Sequence, residues 1–238
     1  MKILTLLVVA AAGYGVYAYS PWSDCVKGTG ETVKKSLTVA PIHGIEITGS
    51  LDVELTQAPA QSVEVEGQAN VAELVQTTVT DGIWKINTSK CYNTDKPFMV
   101  RIALPMIDRV AVMGSGDVTC KNKFGGDRLD IEVQGSGDVA VNFNGKTVDA
   151  QVQGSGDIKL NGECQELVAG VQGSGDVKAV ELKSQRALAT VTGSGDISVS
   201  VSESLNASVT GSGSVKYKGK PTDVKQNVTG SGDVVEIK

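Results

Sequence analysis

Six aspartates recur at one spacing along the second half of this 238-residue chain: Asp117, Asp138, Asp157, Asp176, Asp196 and Asp233. Each closes a Gly-Ser-Gly-Asp tetrapeptide, and a seventh copy ends in Ser214 instead. A row of carboxylates can serve three chemistries. It can hold calcium, a hard cation that takes oxygen ligands. It can supply the two carboxylates of general acid–base catalysis, provided their environments differ. It can also cap a chain corner, because Asp and Ser side chains accept hydrogen bonds from nearby backbone amides, and glycine lets the chain turn sharply. One carboxylate per repeat is poor for a calcium cage, and like charges in a row repel. The aspartates are equivalent, so nothing singles out a catalytic pair. The expected role is therefore the corner, with calcium as the weaker alternative. No other cofactor or metal is expected: no cysteine spacing resembles a zinc site, and the single histidine, His43, has no second histidine to join it. His43 reads as a turn or surface residue.

The elements that position this row follow from its period. The tetrapeptides begin at Gly114, Gly135, Gly154, Gly173, Gly193, Gly211 and Gly230, in steps of 21, 19, 19, 20, 18 and 19 residues. Two residues before each stands a valine: Val112, Val133, Val152, Val171, Val191, Val209 and Val228. Four residues after each first glycine stands Val or Ile, from Val118 to Val234. Around these columns apolar residues alternate, as in Leu129, Ile131 and Val133. A period of two is the mark of strands with one buried face. A hairpin meander would also use short strands. The constant phase instead predicts coils stacked as parallel ladders, valine above valine. Seven coils at about 4.8 Å per step make a stack of roughly 34 Å. The spread in step length falls at a second set of turn residues, such as Asn161-Gly162 and Lys218-Gly219-Lys220-Pro221.

The residue just before each tetrapeptide faces away from its valine neighbour. These outward positions are Met113, Gln134, Gln153, Gln172, Thr192, Thr210 and Thr229. The glutamines can form an amide ladder, continued by the threonines as a flat, polar, uncharged face. That face is either an adhesive surface or a solvated sheet. The formal net charge of −5 comes with no basic stripe, which argues against nucleic acid as a partner.

The start of the chain reads as an export signal: Met1-Lys2, an apolar run from Ile3 to Ala12, and small residues around Ala18. An uncleaved N-terminal anchor is the alternative, and would be the only membrane contact. Residues 19–35 read as a tether. An exported chain can form disulfides, and Cys25 and Cys91, both outside the repeats, can pair. Cys120 and Cys164 are poorer partners, since two coil steps separate them by about 10 Å. Residues 36–112 show weaker alternation and read as irregular coils. Gly49-Ser50-Leu51-Asp52 is a ghost of the repeat there, with Ile47 and Val53 at the two apolar columns. Asp81-Gly82 suits a tight turn.

In order, Gly44-Ile45-Glu46-Ile47, Gly49 to Leu55, Gly82-Ile83-Trp84-Lys85-Ile86, Val100 to Pro105 and the Gly-Ser-Gly-Asp repeats resemble the bacterial DUF2807 domain, the head GIN domain of autotransporter-type adhesins. The resemblance covers residues 37–238. It implies a right-handed parallel β-helix, exported to the periplasm or cell surface, and brings no catalytic residues with it. The expectation is an all-β chain with coils of about 19 residues. Residues 36–238 form one domain, irregular over 36–112 and regular over 113–238. The leading function is a non-enzymatic envelope or surface module contacting an envelope protein or a glycan. A stalk without specific ligand and a carbohydrate-active enzyme are the alternatives.

Overall fold

The computed structural model describes residues 25–238. The leader read at 1–18 and the first part of the tether lie outside the described residues. The fold is a parallel β-solenoid. Each regular coil is one long bent strand running from one tetrapeptide corner to the next: Val118–Gly135, Val139–Gly154, Ile158–Gly173, Val177–Gly193 and Ile197–Gly211. Shorter strands, Ser214–Lys218, Asp223–Gly230 and Asp233–Ile237, complete the stack. All these coils pair in parallel, and the register puts Val112 on Val133, then Val152, Val171, Val191, Val209 and Val228.

The core lies inside the coils and is built from the stacked columns. Val112 through Val209 are at most 2% exposed. A buried valine of this kind is worth on the order of 1.5–3 kcal/mol relative to exposure, an upper bound before chain entropy is set against it. Val228 departs from the expected column and is 41% exposed. A side chain in a solenoid is covered from both sides along the stack, and among the described residues no coil covers Val228 from above. Large residues are few and central: Phe124 stacks on Phe143, and both are fully buried.

The N-terminal region is not a run of successive coils. Gly44–Gly49 and Asp52–Gln57 form a base coil that pairs in parallel with Arg109–Gly114 and with the start of Val118–Gly135. The intervening chain lies on the other side of that base coil. There Ile83–Ile86 and Met99–Leu104 add parallel strands beneath it. Ser62–Gln68 runs antiparallel to Met99–Leu104, and Val79–Thr80 antiparallel to Ile83–Ile86, across the Asp81-Gly82 turn, where both residues have positive φ. A single-turn helix, Ala69–Ala72, buries Val71 and Ala72. The cap closes over Trp84, fully buried, whose indole N–H donates to the Gln76 carbonyl at 2.9 Å.

The segment read as a tether belongs in part to this cap. Val26–Lys27 pairs with Tyr92–Asn93, and Thr32–Ser36 lies antiparallel to Ser62–Gln68. Cys25 is disulfide-bonded to Cys91, closing a separation of 66 residues. Antiparallel edges do not continue the parallel register, so they finish the sheet at this end.

Candidate functional site

The corners explain the tetrapeptide. The first glycines have φ from +111° at Gly49 to +149° at Gly114, a region L side chains avoid. The second glycines answer a different need. A Cβ on Gly137 would lie 2.2 Å from the Gly116 carbonyl oxygen one coil below. At the base coil this place is taken by Leu51, which is buried and lines a small cleft with Cys25 and Cys91 instead of meeting another corner.

The backbone bonding at the corner leaves one amide over. The amides of Ser136 and Gly137 both donate to the Gly114 carbonyl, at 2.9 and 3.1 Å. The amide of Asp138 has no such carbonyl and donates to Asp117 Oδ1 at 2.9 Å. The same bond climbs the stack, from Asp157 to Asp138, Asp176 to Asp157, Asp196 to Asp176 and Ser214 to Asp196, all between 2.8 and 3.0 Å. Each aspartate from Asp117 to Asp196 thus satisfies the corner amide of the next coil. Bonds to a charged acceptor are the stronger kind.

The row starts one member earlier than the tetrapeptides suggest, because the Asp117 amide donates to Asp52 Oδ1 at 3.0 Å. The ghost repeat at Gly49 to Asp52 was the available signal. Like-charge repulsion is relieved by residues the sequence reading passed over. Lys178 bonds Asp157 and lies 3.4 Å from Asp176, and Lys216 donates to Asp196 Oδ2 at 2.7 Å. The bond to Asp157 is the main reason the Lys178 ammonium is held above its ordinary pKa. Both lysines stand two residues after the tetrapeptide, a pattern visible in Asp176-Val177-Lys178 and Ser214-Val215-Lys216. Asp233 stands exposed in the last coil. The row places one carboxylate per coil and commits an oxygen of each lower member to an amide. Among the described residues no three His, Cys, Asp or Glu side chains gather as a metal site.

The outward column is in register as Gln134, Gln153, Gln172, Thr192, Thr210 and Thr229, with Met113 below it. The amides bond differently from the expected ladder. Gln134 donates to Glu132 at 2.6 Å, and its outward neighbour Gln151 donates to Asp149 at 2.7 Å. These contacts run along a coil, because a carboxylate is a stronger acceptor than the amide one rung above. The face therefore divides. Its lower part is a charge network in which Arg109 meets Glu132 at 3.0 Å and Arg128 bridges Asp130 and Asp149 at 2.6 and 3.4 Å. Its upper part, over Gln153, Gln172, Thr190, Thr192, Ser208 and Thr210, carries no charge. Gly170 interrupts the column between Gln151 and Thr190 and leaves a hollow of about 300 Å³. A Cβ at Gly170 would lie 2.0 Å from Gln151 Oε1, so the Gln151 side chain lies against the glycine and lines the hollow.

His43 and the two free cysteines are structural. His43 Nδ1 lies 2.7 Å from Asp108 and Nε2 lies 3.1 Å from the Asp81 carbonyl. It ties the cap hairpin to the coils, and the Asp108 bond raises its pKa. Cys120 and Cys164 are unpaired; burial pushes their thiols up to about 12 and about 11, which leaves them unreactive at neutral pH. No helix among the described residues is long and apolar enough to cross a membrane.

Stacked tetrapeptide corners, carboxylates turned to backbone duty and an uncharged sheet face define a class of solenoid modules that present a surface. Residues 42–221 match the family described as "Putative auto-transporter adhesin, head GIN domain", DUF2807, and the chain belongs to that family. Its family places it as an exported module of the cell envelope or surface. Among solved structures it is similar to a protein described as a "putative adhesin" from Bacteroides fragilis NCTC 9343. The identity is 28% and the TM-score 0.85, over 89% of this chain and 100% of the other. A second "putative adhesin", from Parabacteroides distasonis ATCC 8503, is 27% identical with a TM-score of 0.73, over 90% of this chain and 100% of its own. A "putative lipid binding protein" from the same organism shares the fold at 22% identity and TM-score 0.74, over 90% and 99% of the two chains. No curated protein matches the chain.

Proposed function

We propose that this protein is a non-catalytic adhesive module of the cell envelope that holds a neutral glycan on the upper part of its outward sheet face. The observation that carries the reading is the charge-free, in-register field from Gln153 to Thr210, hollowed at Gly170. Side-chain amides and hydroxyls are donors and acceptors at once, and they match sugar hydroxyls without the desolvation cost of a charge. A flat ladder repeats that match every coil, so affinity grows with the length of a bound polymer. The description of two relatives as adhesins supports the same reading. The corner aspartates support a non-catalytic role, since their oxygens are engaged by backbone amides and lysines.

The test is a glycan array followed by titration of the best neutral hit. Gln153→Lys puts a charge in the field and is expected to weaken binding at least about tenfold, which is about 1.4 kcal/mol. The melting temperature should stay within about 2 °C, as for an exposed surface substitution. Unchanged affinity with an intact fold would clear this face of the role.

A further inference from the structure

A second site lies on another corner of the solenoid and comes from unequal coil lengths. The coil from Gly173 to Gly193 has 20 residues, and the next, from Gly193 to Gly211, has 18. The ladder shows where the difference falls. Ala179 pairs with Val199 and Lys183 with Ser200, so Val180, Glu181 and Leu182 of the longer coil have no counterpart in the shorter. The shorter coil cuts the corner, and a cleft of about 490 Å³ lies over it.

Cys164, Ser184 and Val201, each buried, form the cleft floor. The hydroxyl of Ser184 donates to the Ser200 carbonyl at 2.8 Å, and that of Ser202 to the Ser184 carbonyl at 3.3 Å. These hydroxyls serve backbone carbonyls at the slipped register and are spent as donors. The donors left to a ligand are the Lys183 and Lys220 ammonium groups, the Gln185 amide and the Ser200 hydroxyl.

The charges decide the ligand class. Lys220 has no ion-pair partner among the described residues. Lys183 meets only Glu163, at 3.5 Å, and both side chains are largely exposed, at 78% and 65%. Such a pair is weak and yields readily to a better anion. Lys220, with Gly219 on the cleft wall, ends Lys216-Tyr217-Lys218-Gly219-Lys220, the densest basic stretch in a chain of net charge −5, of which Lys216 is held by Asp196. Beyond Gln185 a second cleft continues along the same corner, past Gln165 to Asn144 and Gly145. Glu163 lines both clefts, so the path runs from Lys183 and Lys220 past the Glu163 carboxylate, which Lys183 offsets, to amide groups at the other end.

We propose that this corner groove binds a carboxylate-bearing glycan laid along the stack, one carboxylate between Lys183 and Lys220 and the following sugar against Gln185 and Gln165. The two lysines act as point charges and the amides as orienting groups. The site is separate from the outward sheet face and does not rest on the reading given for it.

The full chain is titrated by calorimetry with a hexamer of galacturonic acid, and with a neutral hexamer of glucose as control. The acidic hexamer is expected to bind, to weaken as salt is raised from low to physiological strength, and to lose about tenfold in Lys220→Gln and more in Lys183→Gln/Lys220→Gln. Both lysines are exposed and their loss leaves the fold intact, checked by the melting curve. Gln153→Lys, on the sheet face, should leave this affinity unchanged. No binding of the acidic hexamer overturns the proposal. So does binding of the neutral hexamer that the double substitution weakens to the same extent, or acidic-hexamer binding that survives the double substitution.

Discussion

The two ends of the solenoid use the same column of branched residues and bury it to different extents. At the base, Ile45 and Ile47 are fully buried, because Ile83–Ile86 pairs beneath them and the antiparallel strands close the end. In the last coil the inward positions Val224 and Val228 are 39% and 41% exposed. The residue types are alike, so the difference teaches that burial in a solenoid belongs to the neighbouring coil and not to the coil that carries the side chain. A mid-stack valine has two such neighbours, and its substitution is felt by both.

Four measurements sharpen or break that contrast. The largest effect is expected from Val152→Asp, which places an unpaired carboxylate between two coils. It should cost about 4 kcal/mol or abolish folding, whereas Val228→Asp should cost under about 1 kcal/mol in the same denaturant titration. Equal losses would refute the role given to the covering coil.

The cap has its own fastening. Cys25→Ser should remove about 2–4 kcal/mol, given the length of the loop the disulfide closes. Hydrogen exchange should show the loss in Thr32–Ser36 and Ser62–Gln68, while Val139–Gly154 and Ile158–Gly173 keep their protection. Uniform loss of protection would mean that cap and coils unfold as one unit.

The corner row predicts a smaller, position-dependent effect. Asp176→Ala leaves the Asp196 amide without its acceptor and should cost about 1–2 kcal/mol. Asp176→Asn, which keeps a carbonyl oxygen, should recover part of it. Asp233→Ala, in the last coil, should change stability by less than about 0.5 kcal/mol. A loss at Asp233 equal to that at Asp176 would show that the carboxylates act by something other than the next corner amide.

The smallest effect is pH dependence at the base. The folded-state pKa of His43 is raised by Asp108, so its stabilising contribution is complete below the unfolded value of 6.5 and is lost as pH rises through the folded value. Cap stability should therefore fall slightly across that window, and His43→Gln should flatten the profile. The last coils should show no such dependence.

The regular coils were legible because identity recurs at fixed phase: seven valines and seven glycines at matched places admit one register. The corner aspartates were legible as a row, but their task was not, since which amide lacks a carbonyl depends on how two coils lie on each other. Asp52 was hidden because Leu51 breaks the tetrapeptide, and Leu51 is allowed only where no corner lies beneath. The glutamine ladder was right in register and different in bonding, because Glu132 takes the Gln134 amide. In the cap the Asp81-Gly82 turn and the Cys25–Cys91 pair were legible, but the antiparallel pairing was not, since short strands of mixed direction carry no period.

From the sequence alone came the period, the inward valines, the placement of glycine at the turns and the family likeness, because local repetition constrains each coil in the same way. Only the tertiary structure decided the antiparallel closure of the base, the exposure of Val228 and the slip that opens the cleft beside Lys183 and Lys220. These arise where one coil meets an unlike neighbour, and the contact between unlike segments is set by the space they share.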